Sequence, residues 1–395
     1  VRTPGLQRRK RAGGAALYWV AKAISKKADG YPTPTIRIHE TDEAAIAHLC
    51  QRYTAELLEW LSGNGDAGAR FDGTLRGLIT LYRKTPESPF HALKDNSRRM
   101  YGESLDLLET AVGDRILARL NGADFRRWYT KLREPRDEGG PERVRRAFKA
   151  MQILRIVVKF GVTMDIPECA RLAAILAAMR FASPAARSEF VTFEQSSAII
   201  LKAIEMGRPS IAIAQALQFE LTLRQIDVIG EWTPNRESAS GIVDRGQRWS
   251  GGVQWSDIDR DGVLRKKTTK TGQQAVHDTA AYPLVAECLA LIPAENRLGP
   301  IVKNETTGLP YRYRNFFQMW RAIARKAGVP DGVWNRDSRA GGVTEGTTAG
   351  VDLETMRHHA NHSQIATTAI YSRGTLDKTR AAAAARVAAR NKPKT

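Results

Sequence analysis

Apolar positions recur at helical spacing along most of this chain, and strand-like stretches appear only near its start and around residue 260. Residues 5–21 read as a basic strand, a Gly13-Gly14 turn and a second strand through Ala21, which predicts a hairpin. Ala45, Leu49, Tyr53 and Leu57 repeat every four residues and predict a helix over 41–60. From Phe71 to Ala182 the pattern stays helical. One helix follows Ser97 and ends at Gly113, with Tyr101, Leu105, Leu108 and Val112 on one face. Another opens at Pro141 and mixes Val144, Phe148 and Met151 with Arg155 and Lys159. Beyond a break at 181–188, Thr192-Phe-Glu-Gln195 is a capping box for a helix to Gly207, and a further helix from Ser210 leads into Arg224. Residues 253–259 and 263–268 read as strands around an Asp261-Gly262 turn, and helices dominate after Leu284. There is no internal repeat. The expected fold is multi-domain and mainly α, with small β-sheet elements. Its expected parts are a basic N-terminal arm over 1–62, a helical domain over 71–182 and a mixed α+β domain over 189–395.

Gly63-Asn-Gly65-Asp-Ala-Gly68 has the letters of a dinucleotide-binding fingerprint, but it follows a helix instead of a strand, so it reads as a linker. The length of 395 residues suits two or three domains. The 61 Lys and Arg against 42 Asp and Glu leave a net charge of +19, which points to a polyanionic partner, foremost nucleic acid. Arg8, Arg9, Lys22, Lys26 and Lys27 concentrate that charge at one end, and Lys378, Arg380, Arg386 and Arg390 at the other. Cys50, Cys169 and Cys288 are odd in number and widely spaced, so no disulfide framework is expected and a cytoplasmic, nucleoid-associated location is. No apolar run has the length of a membrane span.

The chemistry concentrates late in the chain, in Arg339, His362 and Tyr371. A phenol with a pKa of about 10 is a poor nucleophile at neutral pH. It needs cations that bind its acceptor and stabilise charge in the transition state, and planar guanidinium forks suit the two non-bridging oxygens of a phosphodiester. The run His362-Ser-Gln-Ile-Ala-Thr-Thr-Ala-Ile-Tyr371 resembles the C-terminal signature of the tyrosine recombinases, the phage integrase family. The resemblance implies a core-binding helical domain over 71–182, followed by a catalytic domain. It implies a first active-site arginine at a helix start, for which Arg224 stands with Asp227 three residues on, although Thr222 replaces the usual glycine. A lysine that protonates the leaving 5′ oxygen is implied near a hairpin; Lys270 in Thr269-Lys-Thr-Gly272 is favoured over Lys266 and Lys267. Where the family has His-x-x-Arg, this chain has Arg336 and Arg339. A guanidinium in the first place can clamp a phosphate but cannot accept a proton. Ala360-Asn361 replace the usual Leu-Gly before His362, and Gly341-Gly342 are unusual inside a helix. His358, His359 and His362 invite a metal reading, but position 359 is His where the zinc-protease pattern has Glu, so no metal is expected.

By that resemblance the activity is site-specific DNA recombination for a phage or other mobile element, with Tyr371 forming a 3′-phosphotyrosine. Neither ATP nor metal nor any other cofactor would be needed. The implied partners are double-stranded DNA, three further copies in a tetramer on paired sites, and accessory DNA-bending or directionality proteins. Two rival readings are a DNA-binding descendant without catalysis, suggested by Arg336, and a nicking-closing topoisomerase. The alanine-rich stretch from Leu376 to Arg390 predicts a tail helix that docks on a neighbouring protomer.

Overall fold

The computed structural model describes residues 3–11, 14–28, 31–62, 71–185, 187–236 and 241–371, and isolated helical positions between 379 and 390. Leu376, most of the tail stretch and the Gly63–Gly68 linker lie outside the described residues. The chain divides into two compact units, Val1–Ala186 and Arg187–Thr395. Among the described residues no helix is long and apolar enough to cross a membrane.

The first unit holds two hydrophobic cores. Strands β1 (Leu6–Arg11), β2 (Gly14–Val20) and β3 (Thr35–Ile38) form an antiparallel sheet in the order β1-β2-β3. The sheet lies on α1 (Glu43–Leu61), and Trp19, Ile36 and Ile38 pack with Leu49, Tyr53 and Leu57. The hairpin and helix match the sequence pattern; β3 does not announce itself, being four residues long and close behind Pro32 and Pro34. The second core joins α2 (Leu75–Lys84), α3 (Asp95–Val112), α4 (Gly122–Arg133), α5 (Val144–Thr163) and α6 (Pro167–Ala178). Two helix starts differ from expectation. α3 begins ahead of Ser97, capped by no side chain at Lys94. α5 begins after Pro141, with Arg143 as its N-cap in a non-helical conformation and its N–H bonded to the Arg133 carbonyl at 2.7 Å. Its buried face is Ala147, Ala150, Met151, Leu154 and Val158, with Arg145 and Lys149 left to line a groove against α3. Ion pairs Arg115–Glu40 and Arg119–Asp42 and the bond from the His39 N–H to Asp114 tie the strand side to the bundle.

The second unit opens with α7 (Phe193–Glu205), whose Thr192 and Gln195 form the expected capping box. α8 (Pro209–Phe219) is buried along its whole length. After α9 (Gln225–Ile229), strands β4 (Glu231–Pro234), β5 (Val243–Asp244) and β6 (Gln247–Ser250) form a small sheet in the order β4-β6-β5. Residues 253–259 are no strand. They form a 3-10 turn, while β7 (Val263–Lys267) pairs with β8 (Gln274–Asp278). Lys270 therefore sits in the turn of a hairpin and not beyond one. The helices α10 (Pro283–Ala290), α11 (Tyr313–Lys326), α12 (Asp337–Thr348), α13 (Leu353–His359) and α14 (Ile365–Ala369) complete the unit.

The glycine pair inside α12 has a steric cause. A Cβ on Gly341 would strike the Val191 carbonyl, and one on Gly342 the Phe219 carbonyl at the end of α8. Only residues without side chains let α12 approach its neighbours this closely. That approach carries Arg339, one turn into the helix, to the segment that holds Arg224.

Candidate active site

Arg224 is the residue before α9 and points its guanidinium back over the helix start, with Nη2 3.5 Å from the Asn361 carbonyl. Its Nη1 lies 3.8 Å from Asp227 Oδ2, a charge contact beyond hydrogen-bond length. That nitrogen is buried beside the carboxylate and has no hydrogen-bond partner among the described residues. Asp227 is fully buried, and its Oδ1 accepts the Thr269 N–H at 2.6 Å. One carboxylate thus holds both the first arginine and the turn that carries Lys270. Lys270 itself is exposed at that turn. Its rivals have other positions: Lys266 is buried against Asp257 at 3.6 Å, and Lys267 lies exposed on β7.

Arg339 donates Nη1 to the Thr222 carbonyl and Nη2 to the Ala360 carbonyl. Burial, then the charge of Arg224, lowers its pKa to about 10, so it stays protonated at neutral pH. It also fastens two segments that break the family's glycine habit. Thr222 has φ +48° and Asn361 φ +51°, both in the left-handed region where glycine is at home. Asn tolerates that region; a β-branched threonine there is strained. Both positions at which the resemblance implies a glycine thus have a left-handed backbone in this chain.

His362 is buried, and its ring stacks on Tyr371 with centroids 5.8 Å apart and planes 12° apart. Its Nδ1 is 2.9 Å from Oγ1 of the buried Thr368. Burial, followed by the charges of Arg339, Arg224 and Lys270, pushes its pKa down to about 4, leaving a neutral imidazole at physiological pH. Tyr371 ends the α14 segment, half-buried against Val343, Met356 and Ala360. Three cations and one carboxylate thus surround a phenol and a neutral imidazole.

Two groups fall elsewhere. Arg336 is exposed and lies over the Trp334 ring at 4.3 Å, and among the described residues its side chain makes no hydrogen bond to His362 or Tyr371. The three histidines diverge. His358 is exposed and pairs with Glu354 at 3.1 Å, His359 turns to the Glu220 carbonyl and Tyr282, and only His362 reaches Tyr371. Sequence reasoning missed Thr368, although its place in a Thr-Thr pair three to four residues before Tyr371 was a visible signal. It also missed His277, which packs edge-on against His359 at 5.0 Å from the middle of β8.

This arrangement of helices, small sheets and hairpin has the fold of solved integrases. The chain is similar to lambda integrase solved as a dimer bound to a core site, at 16% identity over 94% of this chain and 95% of that one, with a TM-score of 0.58. It is similar to the lambda integrase tetramer bound to a Holliday junction, at 15% identity over 94% and 96%, TM-score 0.59. The Tn1549 transposon integrase in complex with circular intermediate DNA aligns over 78% of this chain and 99% of that one, at 12% identity and TM-score 0.54. No family model and no curated protein matches the sequence.

Proposed function

We propose that this protein is a site-specific DNA recombinase of the integrase type, which cuts and rejoins DNA through a 3′-phosphotyrosine. The observation that carries the reading is the convergence of Arg224, Arg339, Lys270 and His362 beside Tyr371. A phosphodiester carries one negative charge and gains a second as a nucleophile adds. Positive charge preplaced around the phosphate favours that change. In this reading the Tyr371 phenol gives its proton to solvent as its oxygen bonds to phosphorus, the bond to the 5′ oxygen breaks, and Lys270 supplies the proton that the departing oxygen takes. The bond energy is kept in the ester and serves the rejoining step.

The groove between α3 and α5, edged by Arg143, Arg145, Arg146 and Lys149, offers the first unit a surface for a DNA backbone. The exposed Arg8, Lys22, Lys26 and Lys27 give the N-terminal sheet a second, smaller one. A tetramer on two paired sites, accessory bending proteins and a mobile-element origin belong to the same proposal; the neighbouring lambda integrase is itself seen on a Holliday junction as a tetramer.

The deciding experiment incubates the protein with DNA carrying its element's ends and a nick that traps cleavage. Wild type should form a covalent protein–DNA adduct; Tyr371→Phe should bind equally and form none. A specific observation favours one rival: Arg336, the residue in the family's histidine place, lies over the Trp334 ring. Binding without any adduct in the wild type would establish that rival, a DNA-binding descendant.

A further inference from the structure

Trp334 carries two guanidiniums, Arg187 and Arg336, each 4.3 Å from its ring. Their surroundings differ. Arg187 is neutralised: its Nη2 is 2.7 Å from Asp337 Oδ2, its Nε is 3.3 Å from Oδ1, and it also donates to the Gly332 carbonyl. Asp337 further accepts the Trp334 N–H at 2.8 Å, so ring, carboxylate and Arg187 form one fixed platform. Arg336 lies on that platform with no ion pair or hydrogen bond of its side chain among the described residues. Stacking occupies the flat face of a guanidinium and leaves its N–H edge in water, ready for a planar or anionic acceptor.

Position adds to this. Arg336 stands three residues before Arg339, one helical turn away, where side chains are neighbours at about 5–6 Å. We propose that Arg336, held by Trp334, is a binding residue for a DNA backbone phosphate next to the scissile one, and takes no part in the clamp around the phosphate that Tyr371 attacks. This inference rests on the proposed recombinase reading. It assigns Arg336 to positioning the strand, while the chemistry stays with the five residues at Tyr371.

The test is a coupling measurement made on binding alone, in a Tyr371→Phe background. Duplexes carry a single uncharged methylphosphonate at successive positions around the cleavage point, which wild-type adducts map. The protein carrying Arg336 should lose about tenfold affinity when one flanking phosphate is neutralised. The Arg336→Ala variant should bind unmodified DNA about tenfold more weakly and lose nothing further at that same position. Arg336→Lys should recover part of the loss, and Trp334→Leu should reproduce part of it, since a solvated arginine is less well placed. Coupling at the scissile position would overturn the proposal and return Arg336 to the clamp. Equal losses for both proteins at every position would overturn it too, leaving Arg336 as a solvated cation. If the wild type forms no adduct, the recombinase reading fails by itself, and footprinted DNA still reports whether Arg336 couples to one phosphate.

Discussion

The stacked ring of His362 is held at its other nitrogen by Thr368, a contact that governs which nitrogen carries the proton. A neutral imidazole has one donor and one acceptor. If the Thr368 hydroxyl donates to Nδ1, then Nε2 must carry the hydrogen and can give it to a phosphate oxygen. Thr368→Val, which keeps the shape and removes the hydroxyl, should slow cleavage about tenfold, the scale of one hydrogen bond of roughly 1.4 kcal/mol. Thr368→Ser should restore the rate. Single-turnover cleavage by the two variants checks this, and equal rates for Val and Ser would show that the hydroxyl does not set the tautomer. At this scale the spacing of chemically distinctive residues was enough to single out Arg224, Lys270, Arg336, His362 and Tyr371 as candidates. It could not show that the Arg336 side chain lies over an indole, because spacing along a helix says where a backbone goes and not what holds the side chain.

Helix α12 is where helix propensity and packing disagree most sharply. Replacing glycine by alanine in a helix interior ordinarily gains about 1 kcal/mol. Gly341→Ala and Gly342→Ala should instead each cost on the order of 2–3 kcal/mol, since the added methyl meets a main-chain carbonyl that cannot move alone. Chemical denaturation of the two variants measures the sign directly; a gain in either would mean that α12 can slide away from α8. The capped helices were readable because a capping box is a local code, as at Thr192 and Gln195. The sheet β4-β6-β5 was not readable. Its strands span two to four residues and are held by tertiary contacts, such as the Trp249 indole on the Ile229 carbonyl at 2.9 Å. The stretch 253–259 misled in the opposite way: Val253 and Trp255 alternate like a strand, but the chain turns into a 3-10 helix over Trp255–Asp257.

For the whole molecule, acid is the informative stress. His277 and His362 both have pKa values pushed down to about 4 from near 6.5, each chiefly by burial. An unfolded chain binds protons on these groups below pH 6.5 while the folded chain does not. The stability they contribute is therefore full above that pH and is lost as pH falls towards 4. Each histidine should remove roughly 2 kcal/mol by pH 5. Glu220 and Glu345, whose pKa values burial raises, act in the opposite direction and offset part of the loss. Comparing denaturation at pH 7.5 and pH 5 for wild type and His277→Gln checks this, and the variant should show a visibly smaller drop. An equal drop would place the acid sensitivity elsewhere. A deletion experiment belongs to the same scale. Removing residues 1–40 strips all three strands from α1 and bares Leu49, Tyr53 and Leu57, so the product should aggregate in light scattering. A cut at residue 70, which takes α1 as well, should give a dispersed protein. The sequence located the basic hairpin but not the four-residue strand that makes 1–62 one core.

Arg339 has one more consequence, for how such a protein decays. Its two bonds to the Thr222 and Ala360 carbonyls sew distant stretches of chain together, whatever the phosphate does. Tyr371 sits half-buried at the edge of a small cluster and sews nothing of that kind. A lineage that gave up cutting DNA and kept gripping it would be free to lose the tyrosine first, by drift, at little cost to the fold. It would be obliged to keep the arginine. Among descendants of this chain, an arginine at position 339 is therefore a poor witness to activity, and the tyrosine a good one.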